Sequence, residues 1–124
     1  MISKKLVDEL NKIVAEFSGG ASGIRDEKSL LAAINRPFQT FDSKDLYPSA
    51  IDKAAAIFQS IIINHPFIDG NKRMAYALMM ILLLEDGLDI EIAEEEKYNF
   101  VIKSAKGETD FEEIKSWIID NLKK

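Results

Sequence analysis

The sequence predicts an all-α fold. Apolar residues recur at helical spacing along most of the chain, and no stretch alternates convincingly for more than a few residues. Breaker residues divide the chain into about six helical segments. The chain has 124 residues, which is enough for one compact core. We therefore expect a single helical domain spanning residues 1–124.

The first two helices are predicted from an apolar stripe and from a capping residue. Residues 2–17 have one apolar face that we expect to be buried, and the glycine-rich loop Ser18–Gly23 ends this helix. Asp26 is expected to cap the second helix, which must stop near Arg36 because Pro37 restricts the residue before it. The apolar face of the first helix consists of Ile2, Leu6, Leu10, Ile13, Val14 and Phe17.

Two central helices are predicted on either side of a short polar loop. Pro48 suits the first turn of the third helix, and residues 51–63 are apolar around most of the circumference, which predicts burial. The loop at residues 65–70 follows, and the fourth helix is expected over residues 71–86, with Gly87 ending it. We expect these two helices to form the centre of the fold.

The rest of the chain predicts two more helices and one exception to the helical pattern. The fifth helix fits residues 93–104, with glutamates in its first turn where the helix dipole favours them. The sixth fits residues 110–122. The exception is PFQTF, residues 37–41, which suggests a small β-hairpin or flap.

Composition excludes several classes of function. A net charge of -5 argues against direct contact with nucleic acid, because phosphate neutralisation requires clustered lysine and arginine. The absence of cysteine excludes disulfides, thiolate zinc sites and thiol nucleophiles. The longest apolar run, residues 74–84, is shorter than the roughly 20 residues of a membrane span. Because the N-terminus also lacks a signal-peptide pattern, we expect a cytoplasmic protein without a membrane partner.

A pair of cations stands at the predicted start of the fourth helix. Lys72 and Arg73 fall in its first turn, where unpaired N–H groups make each cation cost roughly 0.3–1 kcal/mol. A helix start is also an anion site, and two cations suit it to several phosphate charges. The simpler alternative is that both side chains point to solvent.

The loop before these cations contains two further candidate groups. Asp69 is a natural Mg²⁺ ligand beside phosphate oxygens, and His65, the only histidine, can accept a proton near neutral pH as a general base. The simpler alternatives are that Asp69 caps the helix and that His65 is structural.

Residues 65–73, HPFIDGNKR, resemble the signature of the Fic/Doc superfamily, in the form H-x-F-x-D/N-A/G-N-K-R carried by Doc (death-on-curing) toxins. Residues 23–37 resemble the segment that precedes the flap in Doc-like toxins. The resemblance covers roughly residues 18–87 and implies the helical Fic/Doc fold.

The resemblance implies a role for each residue of the motif. His65 would be the catalytic histidine that activates a target hydroxyl, and Asp69 would bind Mg²⁺. The phosphates of ATP would be bound by Gly70, Asn71, Lys72 and Arg73. The flap that docks an extended segment of the target would consist of Pro37, Phe38, Gln39, Thr40 and Phe41.

Two departures from AMP-transferring Fic enzymes indicate the type of transfer. Those enzymes have glycine where this chain has Lys72 and a second arginine where it has Tyr76. The resemblance to Doc implies transfer of the γ-phosphate of ATP to a serine or threonine of a target protein. The family's known target suggests elongation factor Tu or a similar factor, so that translation is inhibited. The alternatives are a Fic-type adenylyltransferase and a degenerate antitoxin-binding module without enzymatic activity.

Many Fic proteins carry an inhibitory helix with the pattern S/T-x-x-x-E-G/N. The nearest match here, SAKGET at residues 104–109, ends in threonine and lies at a predicted helix end. We therefore expect inhibition by a separate antitoxin, as in a toxin–antitoxin pair.

Overall fold

The computed structural model describes residues 2–124, and over that range the chain forms six α-helices, a short 3₁₀ helix and one two-stranded sheet. In chain order the elements are α1 (Lys4–Ser18), α2 (Glu27–Asn35), the 3₁₀ helix (Arg36–Phe38), β1 (Thr40–Phe41), β2 (Lys44–Asp45), α3 (Ala50–Asn64), α4 (Asn71–Glu85), α5 (Glu94–Ala105) and α6 (Phe111–Asp120). The all-α prediction is confirmed, and the α-helix ends lie within two residues of the predicted positions. In the described range, every helix is too short or too polar to cross a lipid bilayer.

The pair formed by α3 and α4 lies at the centre of the fold. α3 also packs against α2 and α6, while α4 packs against α1 and α5. Phe58 of α3 and Leu78 of α4 are fully buried, and so is Phe67 in the loop that joins the two helices. This loop, residues 65–70, is called the motif loop below. It is anchored in the core at Phe67 and attached to a central helix at each end.

The apolar face of α1 is only partly covered. Val7 and Ala15 are buried, whereas Ile13 and Phe17 are 61% and 88% exposed. The prediction of a buried face is therefore wrong for Ile13 and Phe17, whereas Val14 is half-buried against the core. Helical spacing identifies residues that share a face, but it does not say whether another element covers that face.

The helix starts follow their capping residues. Asp26 caps α2 as predicted, with Oδ1 accepting the N–H of Ser29 at 3.1 Å. The prediction for Pro48 is wrong, because Ser49 is the N-cap of α3 and Pro48 lies before it. The Ser49 Oγ accepts the N–H of Asp52 at 3.0 Å, and an Asp52 carboxylate oxygen accepts the N–H of Ser49 at 3.3 Å. This reciprocal capping box sets where α3 begins.

The predicted flap forms a hairpin, but only the last two residues of the segment PFQTF, Thr40 and Phe41, belong to it. β1 and β2 pair antiparallel around a two-residue turn, Asp42-Ser43, with φ of 53° and 64°. Positive φ at both residues is what a two-residue turn between twisted strands requires. Pro37 and Phe38 lie instead in the 3₁₀ helix, where Pro37 is buried. Those two residues are therefore not part of the hairpin.

Candidate active site

The motif residues surround one open pocket of about 410 Å³ beside the start of α4. Its wall also includes Ser18 at the end of α1, Gly20 in the loop that follows, and Ala105 at the end of α5. All six residues that were predicted to carry the chemistry or bind the nucleotide line it, namely His65, Asp69, Gly70, Asn71, Lys72 and Arg73. The chain therefore brings together the imidazole, the carboxylate and the two cations at a single helix N-terminus.

The start of α4 has no side-chain cap. Gly70 occupies the N-cap position, and the first turn contains no acidic residue. The alternative that Asp69 caps α4 is therefore wrong. Lys72 and Arg73 are exposed at this helix start, and within residues 2–124 neither forms an ion pair or side-chain hydrogen bond. The uncapped N–H groups and both cations together favour an anion.

Gly70 is required by the backbone and by the neighbouring helix. Its φ is 76°, in the left-handed region that residues with a Cβ rarely adopt. A Cβ built here would also lie 3.0 Å from Cγ1 of Val14 in α1. Glycine at this motif position is thus explained by packing, independently of the group that is transferred.

Asn71 holds the motif loop closed. Its Oδ1 accepts the N–H of Phe67 at 2.9 Å, and its Nδ2 donates to the carbonyl of the same residue at 3.0 Å. Both polar atoms of the side chain are thus used inside the loop. A contact between Asn71 and phosphate would have to come from its backbone N–H or from the second N–H of Nδ2.

Asp69 is oriented by the loop that follows α1. Its Oδ2 accepts the N–H of Ala21 at 3.1 Å, and a Cβ at Gly20 would lie 3.2 Å from the same oxygen. The described residues contain no group of three His, Asp or Glu side chains that could hold a metal ion. A metal at Asp69 would need its other ligands from water or from a bound phosphate, which is the usual arrangement for Mg²⁺.

His65 ends α3 in an unusual backbone conformation. It is the C-cap residue, with φ of 49° and ψ of 56°. The left-handed region is uncommon for residues other than glycine, although histidine is enriched there relative to most. The imidazole is exposed, and it has no hydrogen-bond or ion-pair partner among the residues that the structure describes. A ring nitrogen is therefore available to a hydroxyl entering the pocket.

A second segment, residues 23–26, runs along the motif loop. Arg25 and Asp26 both donate their N–H groups to the carbonyl of Pro66, at 2.7 and 3.1 Å. Ile68 donates its N–H to the carbonyl of Gly23 at 3.0 Å, which completes a short antiparallel bridge. From the sequence, this segment resembles Doc-like toxins and only the cap at Asp26 is predicted within it. Its contacts join residues about 40 positions apart, so local sequence patterns could not reveal them.

The predicted flap does not line the pocket. None of Pro37, Phe38, Gln39, Thr40 and Phe41 is among its lining residues. The base of the flap is instead tied to the middle of α3, where Arg36 Nη1 donates to the Ala56 carbonyl and to Ser60 Oγ at 3.2 and 3.0 Å. Phe41 is 75% exposed. Docking of a target by these five residues therefore stays a prediction.

A larger groove of about 770 Å³ continues from Lys72 and Arg73 between α1, α4 and α5. Its wall includes Phe17 and Tyr76. Burial, followed by the charge of Glu94, raises the pKa of Tyr76 to about 12. The sequence does not predict this groove, because Ile13 and Phe17, which line it, have the spacing of core residues.

Tyr76, which replaces the second arginine of AMP-transferring enzymes, is committed to packing. Its ring contacts Trp117 edge to face, with 6.4 Å between centroids, and Lys97 Nζ lies 4.6 Å from the ring centre. The side chain therefore contributes an aromatic surface to the groove and no second cation to the phosphate site.

Comparison with known proteins identifies the family of the chain. The model of the Fic/DOC family matches residues 1–83. A protein named Toxin Doc from Mycolicibacterium smegmatis is 43% identical over 72 residues. That alignment covers 58% of this chain and 55% of the relative, so the match spans little more than half of each. The family match includes α1 to α3, the motif loop and most of α4, and the chain belongs to the Fic/DOC family.

Proposed function

We propose that this chain is a Doc-like toxin that transfers the γ-phosphate of ATP to a serine or threonine hydroxyl of a target protein. The observation that carries the proposal is the convergence of His65, Asp69, Lys72 and Arg73 on one pocket at the uncapped start of α4. The similarity to a protein named Toxin Doc supports the toxin class.

The start of α4 would bind the triphosphate. Its unpaired N–H groups carry partial positive charge, and Lys72 and Arg73 add two full charges at the same end of the helix. Preorganised donors of this kind stabilise the charge that develops on a transferred phosphate. The Asp69 oxygen that Ala21 leaves free would bind Mg²⁺, and the ion would neutralise phosphate charge when bound.

His65 would act as the general base. Its imidazole takes the proton of the target hydroxyl while that oxygen forms a bond to the γ-phosphorus. The bond between the γ-phosphorus and the β–γ bridging oxygen breaks, and ADP is released. The protein forms no covalent intermediate, so the rate enhancement comes from positioning and from charge.

The partners are an antitoxin and a translation factor. Inhibition would come from a separate antitoxin, since the segment nearest to an inhibitory helix, residues 104–109, spans the end of α5. There Ser104 is buried and its Oγ accepts the Thr109 hydroxyl at 2.9 Å, so the segment closes a helix end. Elongation factor Tu is the candidate target.

The second candidate function is AMP transfer. It is allowed by the sequence Asp69-Gly70-Asn71, which AMP-transferring enzymes share. One observation favours the kinase instead: Tyr76 packs against Trp117 and supplies no second cation. Gly70 does not distinguish the two reactions, because its backbone and its packing against Val14 require glycine in either case. A binding module without enzymatic activity is the third candidate.

One labelling experiment separates the three candidates. The chain, purified free of any antitoxin, is incubated with cell lysate, Mg²⁺ and ATP labelled at either the α or the γ phosphate. We expect γ label on a protein of the lysate. The α label on a protein would establish AMP transfer, and the absence of both labels would favour the binding module.

A further inference from the structure

We propose that Arg25 is a positioning residue that holds His65 in the orientation needed for transfer. This inference rests on the proposed function, and it concerns a residue outside the pocket lining. It names the group that keeps the general base in place, and no contact of Arg25 with ATP or with the target is required.

The first observation is the number of bonds that Arg25 makes to the end of α3. Its Nη2 donates to the carbonyls of Asn64 and His65 at 2.8 and 2.6 Å, and its Nε donates to the His65 carbonyl at 2.9 Å. Its backbone N–H donates to the carbonyl of Pro66 at 2.7 Å. One residue thus fixes three consecutive carbonyls on both sides of the His65 side chain.

The second observation is that the conformation of His65 needs support. His65 has φ of 49°, and in this left-handed region a Cβ lies close to the following carbonyl oxygen, which makes the conformation less favourable than the right-handed one. Such conformations persist where the surroundings determine them, and they occur often at functional sites. The left-handed C-cap sets the direction of the Cα–Cβ bond of His65, and therefore the direction from which its imidazole enters the pocket.

The third observation is that these bonds are not part of the hydrophobic core. Arg25 and His65 are both exposed, and Arg25 belongs to the segment that bridges the motif loop. A guanidinium also complements the partial negative charge on the last carbonyls of a helix, and charge-assisted hydrogen bonds are stronger than neutral ones. The interaction can therefore be removed while the buried packing of α3 and α4 is retained.

The variant Arg25→Ala tests the proposal by kinetics. We expect kcat to fall by about 10–100-fold, because small displacements of a reacting group have effects of this order. The KM for ATP should stay within about twofold, because the phosphate-binding start of α4 is unchanged. Added guanidinium, at concentrations far below those that denature, should restore part of kcat, and Arg25→Lys should retain more activity than Arg25→Ala.

The matched control is Lys115→Met. Lys115 forms an ion pair of 2.6 Å with Asp52 at the opposite end of the same helix, so its loss weakens α3 without touching His65. This variant should have lower thermal stability and unchanged kcat. If Lys115→Met reduces kcat as much as Arg25→Ala does, general loosening of α3 explains the effect and the proposal is overturned.

A readout without activity separates this inference from the proposed function. Because the chain has a single histidine, labelling histidine with ¹⁵N gives one backbone amide signal and one imidazole in the NMR spectrum. In Arg25→Ala we expect the His65 amide signal to shift and its heteronuclear NOE to fall, and in Arg25→Lys both changes should be smaller. Unchanged His65 signals in a folded Arg25→Ala variant overturn the inference, whatever its kcat. If wild type transfers neither label, the proposed function fails, while these signals still decide whether Arg25 holds His65.

Discussion

The starts of α3 and α4 differ in every feature that normally stabilises a helix N-terminus. At α3, Ser49 and Asp52 form a capping box, and Asp52 provides an acidic residue in the first turn. At α4, the N-cap is Gly70, no side chain caps the helix, and the first turn contains Lys72 and Arg73. A side-chain cap stabilises a helix by about 0.5–2 kcal/mol. The α4 start lacks this contribution, and the two cations in its first turn lower its stability further.

The difference indicates that the α3 start stabilises the fold, whereas the α4 start is suited to binding a ligand. The α3 start satisfies its own N–H groups and pairs Asp52 with Lys115 of α6, so it ties two helices together. The α4 start leaves its N–H groups free beside a pocket that contains His65 and Asp69. We infer that the stability lost at α4 is recovered when an anion binds there.

The largest expected effect is on transfer. His65→Ala and Asp69→Ala should each lower the rate of γ-label transfer by at least about 10²-fold, as expected for loss of a general base or of a metal ligand. Both residues are exposed, so circular dichroism should report an intact fold.

Two conservative variants refine that prediction. His65→Asn keeps a residue type that tolerates the left-handed region but has no basic nitrogen. Asp69→Asn keeps an oxygen that can accept the Ala21 N–H but has no charge. Both should be as inactive as the alanine variants. Retained labelling in either would remove that residue's proposed role from the mechanism.

The next largest effect is on ATP binding. Lys72→Glu removes the proposed phosphate contact and puts a carboxylate in the first turn of α4, so affinity for Mg²⁺-ATP should fall by about tenfold or more, or at least about 1.4 kcal/mol. The same change should raise the free energy of unfolding by about 0.3–1 kcal/mol. Calorimetric titration and urea unfolding measure the two effects.

Lys5→Glu is the matched control for Lys72→Glu. Lys5 is an exposed cation in the first turn of α1, which also lacks an acidic residue there. The control should gain similar stability and keep full affinity for ATP. Equal loss of ATP affinity in both variants would mean that overall charge, and not the α4 start, determines binding.

A smaller effect is expected at the α3 start. Ser49→Ala removes the cap, so the free energy of unfolding should fall by about 0.5–2 kcal/mol, while the affinity for ATP stays the same. Urea unfolding and calorimetry test this pair of results. A variant that loses ATP affinity in proportion to its stability would contradict the separation of the two helix starts.

The smallest expected effect is a pH dependence of the free energy of unfolding, caused by Asp52 at the α3 start. Burial alone would raise the pKa of Asp52, but Lys115 and Ser49 lower it below its ordinary value. A carboxyl whose pKa is lower in the folded than in the unfolded chain stabilises the fold above the unfolded pKa, and loses that effect as pH falls through the folded value. The stability difference between wild type and Asp52→Asn should therefore shrink from neutral pH into acid. A difference that stays constant in urea unfolding would exclude this linkage.

Most of the fold was predictable because its signals are local. Helical spacing and breaker residues identified six helices, and the six pocket residues lie within nine consecutive positions, so their proximity followed from the chain itself. The cap at Asp26 was predictable for the same reason. At α3, however, Pro48 and Ser49 gave competing start signals, and the hydrogen bonds of the capping box favoured the serine.

The parts that were missed depend on distant contacts. The bonds from Ala21 to Asp69 and from Arg25 to His65 join segments 48 and 40 residues apart. Spacing alone also predicts that Phe17 is core, although its side chain is 88% exposed. Whether an apolar face becomes core or groove is decided by the tertiary arrangement.

An NMR titration with Mg²⁺-ATP can show whether phosphate binds at the α4 start. We expect the amide signals of Lys72 and Arg73 and the imidazole signal of His65 to shift together in one saturable transition. The amide signals of Ser49 and Asp52 at the α3 start should not move. Saturable shifts confined to other parts of the chain, or no shifts at any ATP concentration, would contradict phosphate binding at the α4 start.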